Sequence, residues 1–201
     1  MSTISSRKVL EMIDKKQNFV YSIRENNDML HTVYFGMKAA PLTLAHEKII
    51  QYLVEEFLKY DNVELVLGVA DSEFKDKFDL LNMVEVFVNK KYPGKKIDVV
   101  NQNGWQGLRA WLKEQNFNNK DTLVCIGEDE WKHLEKNDGV WIDALDFSSE
   151  YMFHMVKDRN DGISASKIRE IFFRDPDVDY YYVKDLISKT IYDYIKKNEL
   201  F

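Results

Sequence analysis

The sequence contains one cysteine, three prolines and eight glycines in 201 residues, and each scarcity excludes a class of protein. A single cysteine excludes a disulfide framework within the chain. So few prolines and glycines, with 45% hydrophobic and 31% charged residues, leave no low-complexity or collagen-like tract. Cys125 lies in the apolar run 123–126, which is typical of a small buried residue rather than a reactive thiol.

Long apolar runs are missing as well. No stretch approaches the roughly 20 apolar residues that a bilayer crossing needs, and residues 1–17 lack the apolar segment of a signal peptide. We therefore expect a cytoplasmic protein with no membrane contact. The net charge of -6 argues against a nucleic-acid partner, because such binding depends on clustered lysine and arginine. The four histidines lack the spacing of a zinc site, so we predict no protein-held metal.

Short apolar runs alternate with amphipathic segments along most of the chain. Strands are predicted at residues 32–35, 63–69, 97–100 and 122–126, with one or two more at 140–145 and 151–156. Helices are predicted at residues 46–58, 78–91, 107–115, 130–136, 164–173 and 183–200. This alternation predicts an α/β fold, a Rossmann-like parallel sheet with helices on both faces and ligands at the carboxyl ends of the strands.

Two regions are expected on either side of residue 32. Residues 1–31 are predicted to be a short N-terminal extension containing a helix and a strand, and residues 32–201 to be the main domain with its C-terminal helices. The extension could cover a sheet edge, contribute to a homo-oligomer or shape the acceptor site. The sequence does not choose among these.

A first set of candidate site residues follows the first predicted strand. Its members are Gly36, Met37, Lys38, Thr43 and His46. His46 lies where a helix is predicted to open, and a helix start offers unpaired N–H groups and partial positive charge that suit a triphosphate. Small residues in the same loop would let a ligand approach the backbone.

A second set lies far downstream, at Ile163, Ser164, Ser166 and Arg169. Ser164 is a good helix N-cap, while Ser166 and Arg169 can present a hydroxyl and a forked guanidinium to one anion. A plain cap at Ser164 and a solvated surface role for Arg169 are the alternatives. A third, weaker pair is Gly127 and Asp129, which come directly after an apolar strand; Asp129 as a simple N-cap is the alternative there.

These segments resemble the HxGH-type nucleotidylyltransferase superfamily, which includes nicotinamide-mononucleotide adenylyltransferases and cytidylyltransferases. Residues 41–46, Pro-Leu-Thr-Leu-Ala-His, are similar to its Pro-x-His-x-Gly-His signature, with Thr43 in place of the first histidine and Ala45 in place of glycine. Residues 163–169, Ile-Ser-Ala-Ser-Lys-Ile-Arg, resemble its ISSTxIR signature. Residues 127–129 are similar to its Gly-x-Asp segment.

The resemblance implies transfer of a nucleoside monophosphate, AMP favoured, from a triphosphate to a small phosphate-bearing acceptor. It implies that His46 and Thr43 donate hydrogen bonds to the phosphates, that Lys38, Ser166 and Arg169 hold the β and γ phosphates, and that Mg²⁺ arrives bound to the substrate. Nicotinamide mononucleotide is the first choice of acceptor. Phosphopantetheine adenylyl transfer, cytidylyl transfer and a non-catalytic nucleotide-binding module remain alternatives, as does a likeness of shape alone.

Overall fold

The computed structural model describes residues 30–70, 77–102, 122–127, 152–156 and 163–201. The strands are β1 Thr32–Met37, β2 Glu64–Ala70, β3 Ile97–Gln102, β4 Thr122–Gly127 and β5 Met152–Val156. The helices are α1 Leu44–Phe57, α2 Lys77–Lys91, α3 Ala165–Arg174, α4 Tyr180–Val183 and α5 Lys189–Asn198. The predictions for residues 1–29, 107–115, 130–136 and 140–145 lie outside the described residues.

The described strands form one parallel sheet in the order β3-β2-β1-β4-β5. This confirms the predicted α/β, Rossmann-like fold. Strand order runs outward from β1 to β3 on one side and resumes at β4 on the other, so the switch point lies between β1 and β4. Ligands of such sheets bind in the crevice at the carboxyl ends of the strands that flank this point.

Apolar side chains at alternate positions fix the central strands against the helices. Val33 and Phe35 of β1 and Leu65 and Leu67 of β2 are fully buried in one apolar cluster that includes much of α1 and α2. Cys125 belongs to the same cluster, and burial raises the pKa of its thiol. The prediction of a small buried cysteine is therefore confirmed.

The C-terminal region differs from the prediction. A single helix was expected over residues 183–200, but the structure has α4 and then α5, separated by residues 184–188. Within this break the Leu186 carbonyl accepts a hydrogen bond from the Leu44 N–H at 2.9 Å. The break thereby places Leu186 against the start of α1, a long-range contact that local helix periodicity does not encode. Over the described residues, no helix has the length and apolar character to cross a membrane.

Candidate functional site

The loop from β1 to α1 ends in a capping box. Thr43 is the N-cap of α1, and its Oγ1 accepts a hydrogen bond from the His46 N–H at 3.3 Å. In return the Thr43 N–H donates to His46 Nδ1 at 3.2 Å, and Thr43 Oγ1 lies 2.9 Å from the same nitrogen. Both residues are buried, Thr43 to 1% and His46 to 7% exposure. Histidine here takes the third-position role that glutamate or glutamine usually fills.

This arrangement selects the tautomer of His46. Because Nδ1 accepts the Thr43 N–H, the neutral imidazole carries its hydrogen on Nε2. Nε2 is therefore the ring atom able to donate to an anion. The cap also fixes the orientation of the His46 ring. The contacts that stabilise the start of α1 therefore also determine the direction in which Nε2 can donate.

The backbone at the start of α1 is more fully hydrogen-bonded than expected. The N–H groups of Thr43, Leu44 and His46 already donate to His46 Nδ1, to the Leu186 carbonyl and to Thr43 Oγ1. These three N–H groups are therefore not unpaired donors for a phosphate. A capping box and a docked C-terminal segment satisfy them instead.

The start of α3 is more open. Ser164 is its N-cap, as predicted, and its Oγ accepts from the Lys167 N–H at 3.3 Å. Ser164 and Ser166 are exposed, and Ile163 is half-buried. In the described part of the chain, the Ala165 and Ser166 N–H groups make no hydrogen bond, so this helix start retains donors that an anion could use.

Arg169 connects the two motifs. One guanidinium nitrogen of Arg169 donates to the Ala40 carbonyl in the β1–α1 loop at 2.5 Å, and the other donates to Ser166 Oγ at 3.1 Å. The first of these bonds joins residues 129 positions apart. Arg169 of the downstream motif thus contacts the β1–α1 loop, which leads into Thr43 and His46, and it is not a simple solvated surface residue.

The remaining predicted site residues show no contact with Arg169 or Ser166 in the described part of the chain. Gly36 and Met37 lie at the carboxyl end of β1, and Gly127 ends β4, the strand across the switch point. Lys38 is exposed and makes no hydrogen bond or ion pair within the described ranges. Asp129 lies outside the described residues. Within the described residues, Arg169 bonds both to Ser166 and to the β1–α1 loop. No contact there joins Lys38 to Arg169 or Ser166.

A polar cluster beside Gly36 was not predicted from the sequence. Tyr34 Oη donates to Gln102 Oε1 at 2.7 Å, and both side chains are buried. The Gln102 amide lies over Gly36 and Gly68, which are paired across β1 and β2; a Cβ on either would come within 2.6 Å of Gln102 Oε1. Two facing glycines thus make room for a side chain from β3 at the ligand edge. A polar residue ending a strand was the available signal.

Glu47 is a buried charged residue that was likewise not predicted from the sequence. It is 4% exposed, and its Oε2 lies 3.9 Å from Lys91 Nζ. Within the described residues, three buried oxygens nearby have no hydrogen-bond partner: Glu47 Oε1, Tyr92 Oη and Ser188 Oγ. Burial raises the pKa of the Glu47 carboxyl, and the neighbouring Ser188 and Lys91 only partly oppose this. Burial, followed by the charges of Glu47 and Glu55, raises the pKa of Tyr92 to about 12.

Glu47→Gln is expected to stabilise the protein more as pH rises. A carboxyl with a raised folded-state pKa contributes stability below its unfolded pKa and loses it as pH rises through the folded pKa. The neutral amide of the variant has no such loss. Urea unfolding at pH 4.5 and pH 8 checks this, with the exposed Glu55→Gln as the control. Equal pH dependence in Glu47→Gln and wild type would contradict it.

The described residues contain no group of three or more histidine, cysteine or carboxylate side chains able to hold a metal ion. The charged side chain that bonds to the β1–α1 loop is the Arg169 guanidinium, a cation. This donor set suits a phosphate rather than a bare divalent cation.

Comparisons with known proteins add a fold relationship. No protein-family model matches the chain, and no curated protein matches it. Among solved structures the chain is similar to TmcAL of Thermotoga maritima, crystallised with bound alpha-thio ATP. The TM-score is 0.55 at 12% sequence identity, and the match covers 85% of this chain and 56% of TmcAL. The chain thus spans little more than half of that protein, and the similarity shows the fold.

Proposed function

We propose that this protein is a nucleotidyltransferase that moves a nucleoside monophosphate, AMP favoured, from a triphosphate to a small phosphate-bearing acceptor. The observation that carries the proposal is the bond from Arg169 to the Ala40 carbonyl, which brings the downstream motif to the β1–α1 loop just before Thr43 and His46. The fold similarity to a protein crystallised with alpha-thio ATP supports a nucleotide as the ligand.

The reaction needs positioning and charge stabilisation more than covalent chemistry by the protein. An acceptor phosphate oxygen would form a bond to the α-phosphorus as the bond to the β-phosphate oxygen breaks, releasing pyrophosphate. His46 would donate from Nε2 to the α-phosphoryl oxygens as charge builds there. Thr43 would then serve mainly to orient His46, because its hydroxyl already bonds within the cap.

The β and γ phosphates would lie against α3. Ser166 and the N–H groups at the start of that helix supply donors, and Arg169 supplies charge beside the loop. Lys38 is long and exposed and could reach the same phosphates. Mg²⁺ would be held by triphosphate oxygens and water, which requires no carboxylate cage from the chain.

The acceptor would bind across the switch point, near the carboxyl ends of β1 and β4. Nicotinamide mononucleotide is our first choice. Phosphopantetheine and a cytidylyl-transfer acceptor are the nearest alternatives. Phosphopantetheine is included because phosphopantetheine adenylyltransferases also have threonine at the motif position that Thr43 occupies here.

Pyrophosphate release tests the proposal directly. Purified protein with Mg²⁺ is offered ATP and then CTP against nicotinamide mononucleotide, phosphopantetheine, glycerol phosphate and phosphocholine. Release with one pair identifies the reaction and its acceptor. ATP binding without release across an extended acceptor panel would overturn the enzymatic proposal.

A non-catalytic nucleotide-binding module is the second candidate, and the capping box favours it. The side chains of Thr43 and His46 both bond within the cap, and Thr43 replaces a second imidazole. Such a module would bind ATP in calorimetry but release no pyrophosphate with any acceptor.

Arg169→Ala is expected to weaken ATP binding about 10- to 100-fold. Its charged bonds to phosphate would each contribute about 1.5–3 kcal/mol, and its loss also frees the Ala40 carbonyl from α3. Arg169→Lys should fall between the two, since lysine keeps the charge but not the fork. Calorimetric titration with ATP measures the effect.

Arg174→Ala is the matched control for that experiment. Arg174 lies at the last turn of the same helix, and its exposed guanidinium pairs with Glu170. Removing it deletes one positive charge without touching the loop, so ATP affinity should change less than twofold. Equal losses in both variants would mean that net charge alone, rather than the bond to the loop, explains Arg169.

A further inference from the structure

Glu47 is a buried carboxyl that the proposed chemistry does not use. It lies in the first turn of α1, directly after His46, and is 4% exposed. Within the described chain its Oε1 has no hydrogen-bond partner. A carboxylate buried in this way is costly unless it is paired, so the position suggests a role beyond packing.

The groups that face Glu47 come from two other parts of the fold. Lys91 ends α2 and Tyr92 follows it, while Ser188 precedes α5. Of these only Lys91 is charged at neutral pH, and its side chain is 39% exposed with Nζ 3.9 Å away. Tyr92 stays neutral because its pKa is about 12. Among these three groups, the half-exposed ammonium of Lys91 is therefore the one positive charge that faces Glu47.

A bound triphosphate would change this balance. It would place the α-phosphoryl group at His46, the residue directly before Glu47 in α1, with the β and γ phosphates beyond it towards α3. Nearby negative charge favours the neutral form of a carboxyl, most strongly where water is excluded. We propose that Glu47 takes up a proton from solvent when a triphosphate binds with its α-phosphoryl group beside His46. The proton attaches to a carboxylate oxygen, and no other bond changes.

This inference rests on the proposed triphosphate site and adds a pH dependence to it. By linkage, ATP affinity falls as pH rises through the range where Glu47 ionises. The fall reaches about tenfold per pH unit where a full proton is taken up. Replacing Glu47 with glutamine removes this contribution and leaves the titration of ATP and of the other groups at the site, His46 among them.

Calorimetry in two buffers of different ionisation enthalpy tests the proposal. Titration of MgATP at pH 7 into wild type, Glu47→Gln and Glu55→Gln gives the number of protons taken up by each. Glu55 is exposed and lies two turns further along α1. We expect wild type and Glu55→Gln to take up more protons than Glu47→Gln. Because the contribution of ATP is common to all three, equal uptake in all three would overturn the proposal.

A measurement on the unaltered chain guards against misfolding of the variant. The ¹³C carboxyl resonance of Glu47, titrated with pH with and without MgATP, should show a higher apparent pKa in the complex. An unchanged pKa in the presence of saturating ATP would overturn the inference while leaving the proposed function intact. If wild type binds no ATP, both the proposed site and this inference fail.

Discussion

Replacing His46 with alanine is expected to lower pyrophosphate release from ATP at least about 100-fold, the loss typical of one preorganised donor to a developing charge. The same change removes one half of the capping box, which should lower the free energy of unfolding by about 1 kcal/mol. Alanine alone therefore cannot separate a catalytic role from a structural one. Steady-state kinetics and urea unfolding must be measured on the same preparation.

His46→Gln separates the two roles. Glutamine is a common third residue of a capping box, so its side chain can accept the Thr43 N–H that now bonds to His46 Nδ1. Stability should stay within about 0.5 kcal/mol of wild type because the cap is kept, while turnover should fall below that of wild type. The glutamine amide can itself donate to an anion, so normal turnover in His46→Gln with loss in His46→Ala would show that a neutral donor is sufficient there. Normal turnover in both variants would show that the residue is only a cap.

The second large effect is expected at Gly68, where alanine should cost about 3 kcal/mol of unfolding free energy. Its Cβ would lie 1.8 Å from Tyr34 Oη and 2.6 Å from Gln102 Oε1. Both of those side chains are buried at 6% exposure or less, so neither can swing into solvent without exposing the cluster. The midpoint of urea unfolding measures the loss.

A double-mutant cycle tests the stated cause. Tyr34→Phe deletes the closest atom and, by itself, should cost about 1 kcal/mol because Gln102 Oε1 loses that donor. Tyr34→Phe combined with Gly68→Ala should then be less destabilised than the sum of the single changes. Strict additivity would show that the collision is not with the hydroxyl.

The sheet could be predicted because its signal is local. β1, β3 and β4 begin at the predicted residues 32, 97 and 122, and β2 begins one residue after its predicted start at 63. Their ends were predicted too early. β3 continues through Asn101 and Gln102, whose polar side chains do not look like a strand but whose backbones pair with β2 up to Ala70. Backbone pairing with β2 therefore extends β3 two residues beyond the end of its apolar pattern.

The site was predictable in outline but not in its hydrogen bonds. The family resemblance implied that Arg169 and the β1–α1 loop would serve one triphosphate, and the structure shows Arg169 bonded to that loop. The start of α1 was predicted at 46 rather than 44, because the cap depends on a histidine acting where glutamate is usual. The satisfied N–H groups there depend on Leu186, and no local pattern near Leu44 encodes that contact.

The bond from Arg169 to Ala40 has a consequence for how the protein is made. Its two residues are 129 positions apart, so the β1–α1 loop leaves the ribosome long before α3 is synthesised. Non-local contacts of this span form late in folding. A nascent chain ending before α3 could pair β1 with β2 while its candidate site stayed incomplete. Nucleotide capture during synthesis would therefore report that the C-terminal helices have docked.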